Sequence, residues 1–266
     1  MHGVNSDLER IADLERIAAL HWRAPEERSL GGWLLRAADG FTGRANSALP
    51  LGEPGMPVPD AVSAVSSWYR ERGLPPMITV PMPVSSATPL DGFLAEAGWT
   101  LRAGPAFVMT ANLDEIHHAQ DLDEIRRAQH LPVRLDAEPD ATWLTLFRGN
   151  RDRPVPPVAR ALLLSAPWQA FARIRADAGD GAVMAVGRVS VAESWGAITA
   201  VEVAPAWRRR GLATAITAAL CTAAAERGAV RILLQVETDN GAAIALYKGL
   251  GFRTSHRYHY RVAPQH

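Results

Sequence analysis

One stretch of the chain joins a strand, a turn and a helix start to a run of arginines. Residues 201–213 read Val-Glu-Val-Ala-Pro-Ala-Trp-Arg-Arg-Arg-Gly-Leu-Ala. The first turn of a helix carries unpaired backbone N–H groups and the positive end of the helix dipole, so it attracts anions. Gly211 and Ala213 keep this backbone open to a phosphate, and residues 208–210 add positive charge beside it. The pattern predicts a phosphate or pyrophosphate site.

Taken alone, these residues also fit a plain helix boundary with a solvated arginine run. The residues downstream favour the anion site. Arg208-x-x-Gly211-x-Ala213 is followed by Asn240-x-x-Ala243-x-x-x-Tyr247 and then by Gly251-Phe252. These motifs, in this order, resemble the GNAT superfamily of acyl-CoA-dependent N-acetyltransferases.

The resemblance covers residues 131–266 and is most specific over 198–252. The whole chain also resembles actinobacterial acetyltransferases of two halves, relatives in architecture of mycothiol synthase. It implies an α/β fold of two GNAT-like units, each a mixed, mostly antiparallel sheet flanked by helices. We expect residues 1–130 to form a degenerate N-terminal half with a connecting helix, and residues 131–266 to form the active acetyltransferase domain.

The two halves share an order of elements: a helix, an Arg-Gly stop, a buried strand, a short helix, a Gly-aromatic pair and a strand. The Arg-Gly stops fall at residues 72–73 and 227–228, and the Gly-aromatic pairs at 98–99 and 251–252. This order indicates an ancestral duplication. Residues 51–59 contain no arginine, and their three prolines remove N–H donors, so the first half is not expected to bind CoA. Residues 42–49 are predicted to form a strand after a turn at residues 38–40, and the polar residues 40–47 are interpreted as a hairpin turn or as part of a substrate cleft.

The resemblance implies that acetyl-CoA lies where the strands ending at Val203 and Val236 splay apart. Backbone groups of the first strand would pair with the acetyl and pantetheine groups, N–H groups of residues 209–214 would hold the pyrophosphate, and Asn240 would bond the pantetheine arm. The expected cofactor-binding residues are Val201, Glu202, Val203, Arg208, Arg209, Arg210, Gly211, Leu212, Ala213, Thr214, Asn240, Ala243 and Tyr247.

Acetyl transfer requires a neutral amine and a proton for the departing thiolate. Tyr247 matches the family's general-acid tyrosine, and a phenol with a pKa of about 10 can protonate a thiolate whose thiol has a pKa near 8.5. Packing against Phe252 is its alternative role. The base is open between Glu202, Glu237 and a water relay, and Gln235 occupies a place where some relatives carry glutamate.

The terminal strand carries His256, Tyr258 and Tyr260 on one face, which we interpret as substrate contacts or as a packed aromatic face. His256 and His259 should face opposite sides of that strand, and the adjacent histidines 117 and 118 cannot share a metal, so no metal site is expected. Cys221 is predicted to be a core residue. The repeated sequence Asp-Leu-Glu-Arg-Ile-Ala at 7–12 and 13–18 indicates surface helices without chemistry.

Composition limits the class of protein. The chain has 266 residues with 28 Lys and Arg against 28 Asp and Glu, which argues against nucleic-acid binding. Its one cysteine excludes a disulfide framework and favours a reducing, cytoplasmic location, and no apolar run is long enough for a membrane span.

Taken together, the motifs and the resemblance predict a monomer or homodimer that transfers acetyl from acetyl-CoA to a primary amine, by direct attack in a ternary complex. The acceptor is expected to be a small molecule or a peptide. The alternatives are a non-catalytic acyl-CoA sensor and a mycothiol-synthase-like acetyltransferase.

Overall fold

The computed structural model of the chain describes residues 2–119, 132–147, 155–176 and 181–264. Its helices are α1 (His2–Leu20), α2 (Val58–Arg70), α3 (Pro89–Glu96), α4 (Leu113–Ala119), α5 (Ala141–Phe147), α6 (Pro157–Leu163), α7 (Leu212–Glu226) and α8 (Gly241–Gly249). Its strands are β1 (Glu26–Leu30), β2 (Trp33–Ala37), β3 (Leu49–Pro50), β4 (Met77–Met82), β5 (Thr100–Leu101), β6 (Ala106–Asn112), β7 (Arg134–Asp136), β8 (Trp168–Arg175), β9 (Val183–Ala192), β10 (Trp195–Val203), β11 (Arg231–Glu237) and β12 (Arg253–Val262). In the described ranges, every helix is too short or too polar to cross a membrane.

The strands form a small sheet, β1-β2-β3, and a nine-stranded sheet in the order β4-β12-β6-β11-β10-β9-β8-β7, with β5 beside β12. All strand pairs of the large sheet are antiparallel except β10 with β11. The predicted α/β class with mixed, mostly antiparallel sheets is confirmed. The large sheet is shared, however: β12 inserts between β4 and β6, and β6 inserts between β12 and β11.

The shared element order of the two halves is also observed. The first half runs β2, β3, α2, β4, α3, and the second runs β9, β10, α7, β11, α8. The glycines after the long helices, Gly73 and Gly228, both have positive φ, of 65° and 82°. Such a residue satisfies the last carbonyls of a helix in a left-handed turn. The boundary that we expect between the halves, at residues 130 and 131, and most of the expected connecting helix lie outside the described residues.

The sequence predicts a strand over residues 42–49, and the structure corrects this to a loop with a 3₁₀ turn at Arg44–Asn46. The physical cause is the Asn46 side chain. Its Oδ1 accepts from the N–H groups of Ala38 and Gly40, and its Nδ2 donates to the carbonyls of Phe41 and Thr42, at 2.8–2.9 Å. Because one amide takes four backbone partners, the segment folds around Asn46 rather than into a strand ladder.

The large sheet has two differently covered faces near the end of β11. On one face, called here the α7 face, Leu234 and Val236 pack in one cluster with residues of α7 and α8. On the other, the α1 face, Leu233 packs with Leu14 of α1. The repeated segment, residues 7–18, lies within the single helix α1, and part of it is buried rather than on the surface.

Helix α7 lies unusually close to the sheet because β9 has a glycine beneath it. A Cβ atom added at Gly187 would lie 2.5 Å from Cγ2 of Ile216 and 2.9 Å from Cδ1 of Leu220. Gly187 thus fixes how closely α7, and with it the loop at its start, approaches strands β9 and β10.

We predict that Gly187→Ala lowers the free energy of unfolding by about 1–3 kcal/mol, because the added methyl overpacks the contact with α7. Gly92→Ala in α3 is the matched control, since a Cβ there meets nothing within 4 Å, and it should be neutral or slightly stabilising. Urea unfolding of both variants measures the difference. Equal stability of the two would contradict the close packing at Gly187.

Candidate functional site

Strands β10 and β11 separate at the middle of the large sheet. They pair in parallel from Trp195 with Arg231 to Ile198 with Leu234, and no further. On its other edge β10 carries an extra residue between Thr199 and Glu202, and Ala200 has a φ of 58°. A bulge of this kind bends its strand. The backbone of β10 beyond the bulge therefore faces an open gap, where the resemblance implies that acetyl-CoA lies.

The loop between β10 and α7 leaves several backbone donors open. Gly211 has a φ of 77° and caps α7 without a side-chain hydrogen bond. The first backbone bond of the helix runs from the N–H of Ala215 to the carbonyl of Gly211. The N–H groups of Leu212, Ala213 and Thr214 precede it and have no helical partner.

The three arginines before Gly211 have different surroundings. Arg208 donates from Nε to the carbonyl of Val203 at 3.2 Å and from Nη2 to Glu202 at 3.3 Å. The guanidinium of Arg210 lies 4.7 Å from the ring centre of Trp207. Arg209, with a φ of 64°, forms no ion pair with any described residue. Three arginines therefore directly precede the open donors in the chain, and one of them is paired with Glu202.

Helix α8 brings two more predicted residues to the α7 face. Asn240 caps this helix, because its Oδ1 accepts from the N–H of Ala243 at 3.1 Å. Tyr247 is buried, and its ring centre lies 5.8 Å from that of Phe252. Its hydroxyl has no hydrogen-bond partner among the described residues. The packing contact considered as an alternative is thus present, and it leaves the hydroxyl unused.

Burial shifts the acidity of two groups on this face. It raises the pKa of Tyr247 to about 12, with a smaller contribution from nearby Cys221, so the phenol stays protonated at neutral pH. Burial alone raises the pKa of Cys221 to about 12. The thiol is fully buried, as predicted for a core residue, and it is not a nucleophile in this state.

The candidate bases lie on the other side of the sheet. Because Leu234 and Val236 belong to the core under α7, the alternate residues of β11, Gln235 and Glu237, face the α1 side. Glu202 also faces the α1 side, since its neighbours Val201 and Val203 pack against the core under α7. Glu202 is held by Arg208, whereas Glu237 forms no ion pair with the described residues.

Glu237 opens into a cleft of about 250 Å³ between the two halves of the chain. Two walls come from loops of the first half, and the rest comes from the ends of β6, β11 and β12. The lining residues are Thr42, Gly43, Arg44, Arg102, Ala103, Gly104, Ala106, Gln235, Val236, Glu237, Tyr258 and Tyr260. The polar segment 40–47 therefore forms both a turn and a wall of this cleft.

Arg44 is the functional candidate that sequence reasoning missed. Its Nη1 donates to Oε1 of Gln235 at 2.5 Å, and its guanidinium lies 5.2 Å from the ring centre of Trp22. The hydroxyl of Tyr258 donates to the same Gln235 oxygen at 3.3 Å. The only sequence signal for this contact was the polar character of residues 40–47.

Of the three residues expected to contact substrate, Tyr258 and Tyr260 reach the cleft and His256 does not. Tyr258 and Tyr260 line the cleft, although both are largely buried. His256 is fully buried, with Nε2 at 2.9 Å from Oε1 of Glu15 in α1. His259 faces the other side, as predicted, with Nε2 at 2.7 Å from Asp91. The repeat that we expected to lack chemistry thus supplies the partner of His256.

Comparison with known proteins gives these features a family. The model of a family described as "Probable histone acetyltransferase Rv0428c C-terminal" matches residues 9–261. The uncharacterized N-acetyltransferase YobR of Bacillus subtilis is 29% identical over 260 residues, covering 96% of this chain and 99% of that protein. The probable histone acetyltransferase Rv0428c of Mycobacterium tuberculosis is 30% identical over 258 residues, covering 95% of this chain and 74% of that protein.

Two further matches are a partial sequence similarity and a similarity of fold. The mycothiol acetyltransferase of Kocuria rhizophila is 43% identical over 61 residues, which are 23% of this chain and 20% of that protein. A solved structure of a tandem GNAT protein from the clavulanic acid biosynthesis pathway matches with a TM-score of 0.65 and 16% identity, over 99% of this chain and 95% of that one. The structural match concerns the fold alone, and the family match covers nearly the whole chain. The fold of the chain is that of a tandem GNAT protein, and the chain belongs to the Rv0428c C-terminal family of acetyltransferases.

Proposed function

We propose that this protein transfers an acetyl group from acetyl-CoA to a primary amine, by direct attack in a ternary complex. The observation that carries the proposal is the gap between β10 and β11. On the α7 side this gap adjoins open backbone donors and a protonated phenol. On the α1 side, the end of β11 enters a cleft that carries a carboxylate with no ion-pair partner among the described residues.

The α7 side suits the acetyl donor. Gly211 and Ala213 leave room for a pyrophosphate at the N–H groups of residues 212–214, and Arg209 is available to it. The edge of β10 that faces the gap at Val201 and Val203 suits the amide groups of the pantetheine arm, and the Val203 carbonyl on it also accepts from Arg208. Asn240 uses Oδ1 as a helix cap, so its Nδ2 is left to donate to the same arm. The first half lacks this arrangement, because α2 begins with Pro57 as its cap and Pro59 in its first turn.

In the proposed reaction the amine nitrogen forms a bond to the acetyl carbon while the carbon–sulfur bond breaks. Tyr247 gives its proton to the departing thiolate, because its buried hydroxyl is protonated at neutral pH. Glu237, directly or through a water, takes a proton from the amine. We favour Glu237 over Glu202 as the base because the carboxylate of Glu202 is already bonded to Arg208.

An acyl-CoA sensor would have the same acetyl-donor site on the α7 side but no turnover. A mycothiol-synthase-like enzyme would have both the donor site and the acceptor cleft, and its acceptor would be a cysteinyl-sugar amine. The partial similarity to mycothiol acetyltransferases supports the second alternative over 61 residues only. The first half supplies part of the cleft wall, so the acceptor in either case would meet residues of both halves.

We predict that Thr214→Glu removes acetyl-CoA binding while the fold keeps its stability. A carboxylate in the first turn is favourable to the helix dipole but repels a pyrophosphate at the same N–H groups. Gly211→Glu should also remove binding, although its positive φ strains the new side chain. Calorimetric titration of acetyl-CoA measures both.

Gly92→Glu, which adds the same charge on exposed α3, is the control and should bind like wild type. One site per chain is expected in wild type. Unchanged affinity in Thr214→Glu would contradict the placement of the pyrophosphate, and two sites per chain would mean that the first half also binds the donor.

Tyr247→Phe should lower kcat by about 10²–10⁴-fold, the usual contribution of a positioned acid or base, with the affinity for acetyl-CoA nearly unchanged. The variant keeps the ring that packs on Phe252 and loses only the hydroxyl. Thiol release under saturating acceptor measures kcat. A variant with wild-type kcat would show that Tyr247 is only a packing residue, and a wild type that binds acetyl-CoA without any turnover would favour the sensor.

The raised pKa of Tyr247 gives the pH profile a definite shape. Deprotonation of the acid would lower kcat only as the pH approaches 12, so kcat should rise as the amine and the base lose protons and then stay level up to pH 10. An unshifted phenol would be half ionised at pH 10. A loss of half of kcat between pH 9 and pH 10, in protein that stays folded, would contradict the protonated, buried state of Tyr247.

A further inference from the structure

The cleft has two arginines in its walls, and neither forms an ion pair with Glu237, the carboxylate that lines the same cleft. Arg44 bonds to the neutral amide of Gln235 and stacks on Trp22. The guanidinium of Arg102 lies 5.4 Å from the ring centre of Tyr260, with Nη1 at 3.5 Å from the sulfur of Met77. Among the described residues, neither arginine lies within ion-pair distance of an acidic side chain.

Two further arginines lie behind this wall, and their partners are neutral as well. Arg36 is buried and donates to Ser47 and Thr79. Arg188 is fully buried and donates to the carbonyl of Leu163 at 2.7 Å, with Ser190 and Thr199 nearby. Burial and the charge of Arg44 lower the pKa of Arg188 to about 9, which places Arg44 and Arg188 close enough to repel each other.

Acidic groups lie near these arginines without an ion-pair contact, and the charges of Glu15 and Glu27 partly offset that of Arg36. Glu15 lines a small cavity together with Arg36 and Arg44, but its Oε1 is bonded to His256. Glu237 lines the same cleft, with Oε1 at 3.5 Å from the position of a Cβ added at Gly104. Arg44 is half-buried and Arg102 is exposed, so their guanidinium groups, which have no ion-pair partner among the described residues, are open at the cleft to an anion from outside the chain.

The positions of Gln235 and Glu237 along β11 set the distance between the cationic and the anionic end of the cleft. Gln235 holds Arg44, and Glu237 lies two residues later on the same face, which is about 7 Å along a strand. A cationic end and an anionic end at this spacing complement a molecule that carries both a carboxylate and an amine. The guanidinium fork matches the two oxygens of a carboxylate. The cleft volume of about 250 Å³ suits a small molecule better than a protein tail.

We propose that the acetyl acceptor is a small amino acid, whose carboxylate binds Arg44 with Arg102 beside it and whose amine lies at Glu237. The inference rests on the proposed function and adds the class of acceptor. It also assigns a role to the first half of the chain, which supplies both arginines and thereby selects the substrate.

The test compares each amino acid with its own amide. The probes are the twenty common amino acids, β-alanine and γ-aminobutyrate, each paired with the corresponding carboxamide, and thiol release from acetyl-CoA measures kcat/KM. The carboxamide keeps the amine but makes it less basic, so a larger fraction of that amine is neutral and able to attack. Without recognition of the carboxylate, the carboxamide would therefore be the better acceptor. We expect at least one amino acid to exceed its amide by 10-fold or more.

Arg44→Gln should then lower kcat/KM for the preferred amino acid by 10-fold or more and leave that for its amide within twofold. Arg44→Lys keeps the charge without the fork and should recover part of the loss. Arg28→Gln, which removes an exposed arginine of β1, is the matched control and should resemble wild type. Calorimetric binding of acetyl-CoA to every variant verifies that the donor site is intact.

The outcomes separate this inference from the proposed function. Turnover of amides as fast as acids, equal losses for both in Arg44→Gln, or turnover only of amines without a carboxylate would overturn the inference while leaving the acetyltransferase function in place. A preference for O-phosphoethanolamine over every amino acid would overturn the carboxylate assignment. Failure of wild type to bind acetyl-CoA would instead contradict the proposed function itself.

Discussion

The separation of β10 from β11 is the constraint on which the rest of the site depends. A sheet normally seals one face from the other, because every backbone group in its interior is bonded to a neighbouring strand. Here one extra residue at the Ala200 bulge bends β10 away after four paired residues, so backbone groups face an open gap in the middle of a nine-stranded sheet. The groups suited to an acyl donor lie on one face of this gap, and those suited to an amine lie on the other. The proposed chemistry requires contact through the gap.

The exchange of strands between the halves decides what covers the α1 side. Because β6 of the first half pairs with β11, and β12 pairs with β4 and β6, the loops at the ends of the first-half strands stand over the end of β11. Before its long helix the first half has no arginine at residues 51–59, and this helix begins with prolines. The contribution of the first half is a loop held in shape by Asn46 that presents Arg44, and a second loop that presents Arg102. In the proposed function the second half supplies the acetyl-donor loop, and the first half supplies Arg44 and Arg102 of the cleft.

Features that depend on residues close together in sequence were predictable, whereas features that depend on contacts between distant residues were not. The helix α7, the glycine at its start and the arginines before it are contiguous in sequence, so local propensity and the helix dipole were enough to predict them. The alternation of β11 likewise indicated that Glu237 and Val236 face opposite sides. The cleft was not predictable, because its contacts join residues far apart: Arg44 and Gln235 are 191 positions apart, and Glu15 and His256 are 241 apart. The strand predicted over 42–49 was wrong because Asn46 has four backbone partners that no propensity anticipates.

Hydrogen–deuterium exchange with and without acetyl-CoA tests the central claim, that the donor binds at the gap and at the start of α7 alone. Exchange reports the opening of individual backbone segments, so it can compare the two halves within one protein. The account predicts that acetyl-CoA slows exchange in residues 199–203 and 209–215 and leaves residues 57–62, at the start of α2, unchanged. Slower exchange at the start of α2, or no change in residues 209–215 at saturating acetyl-CoA, would contradict it.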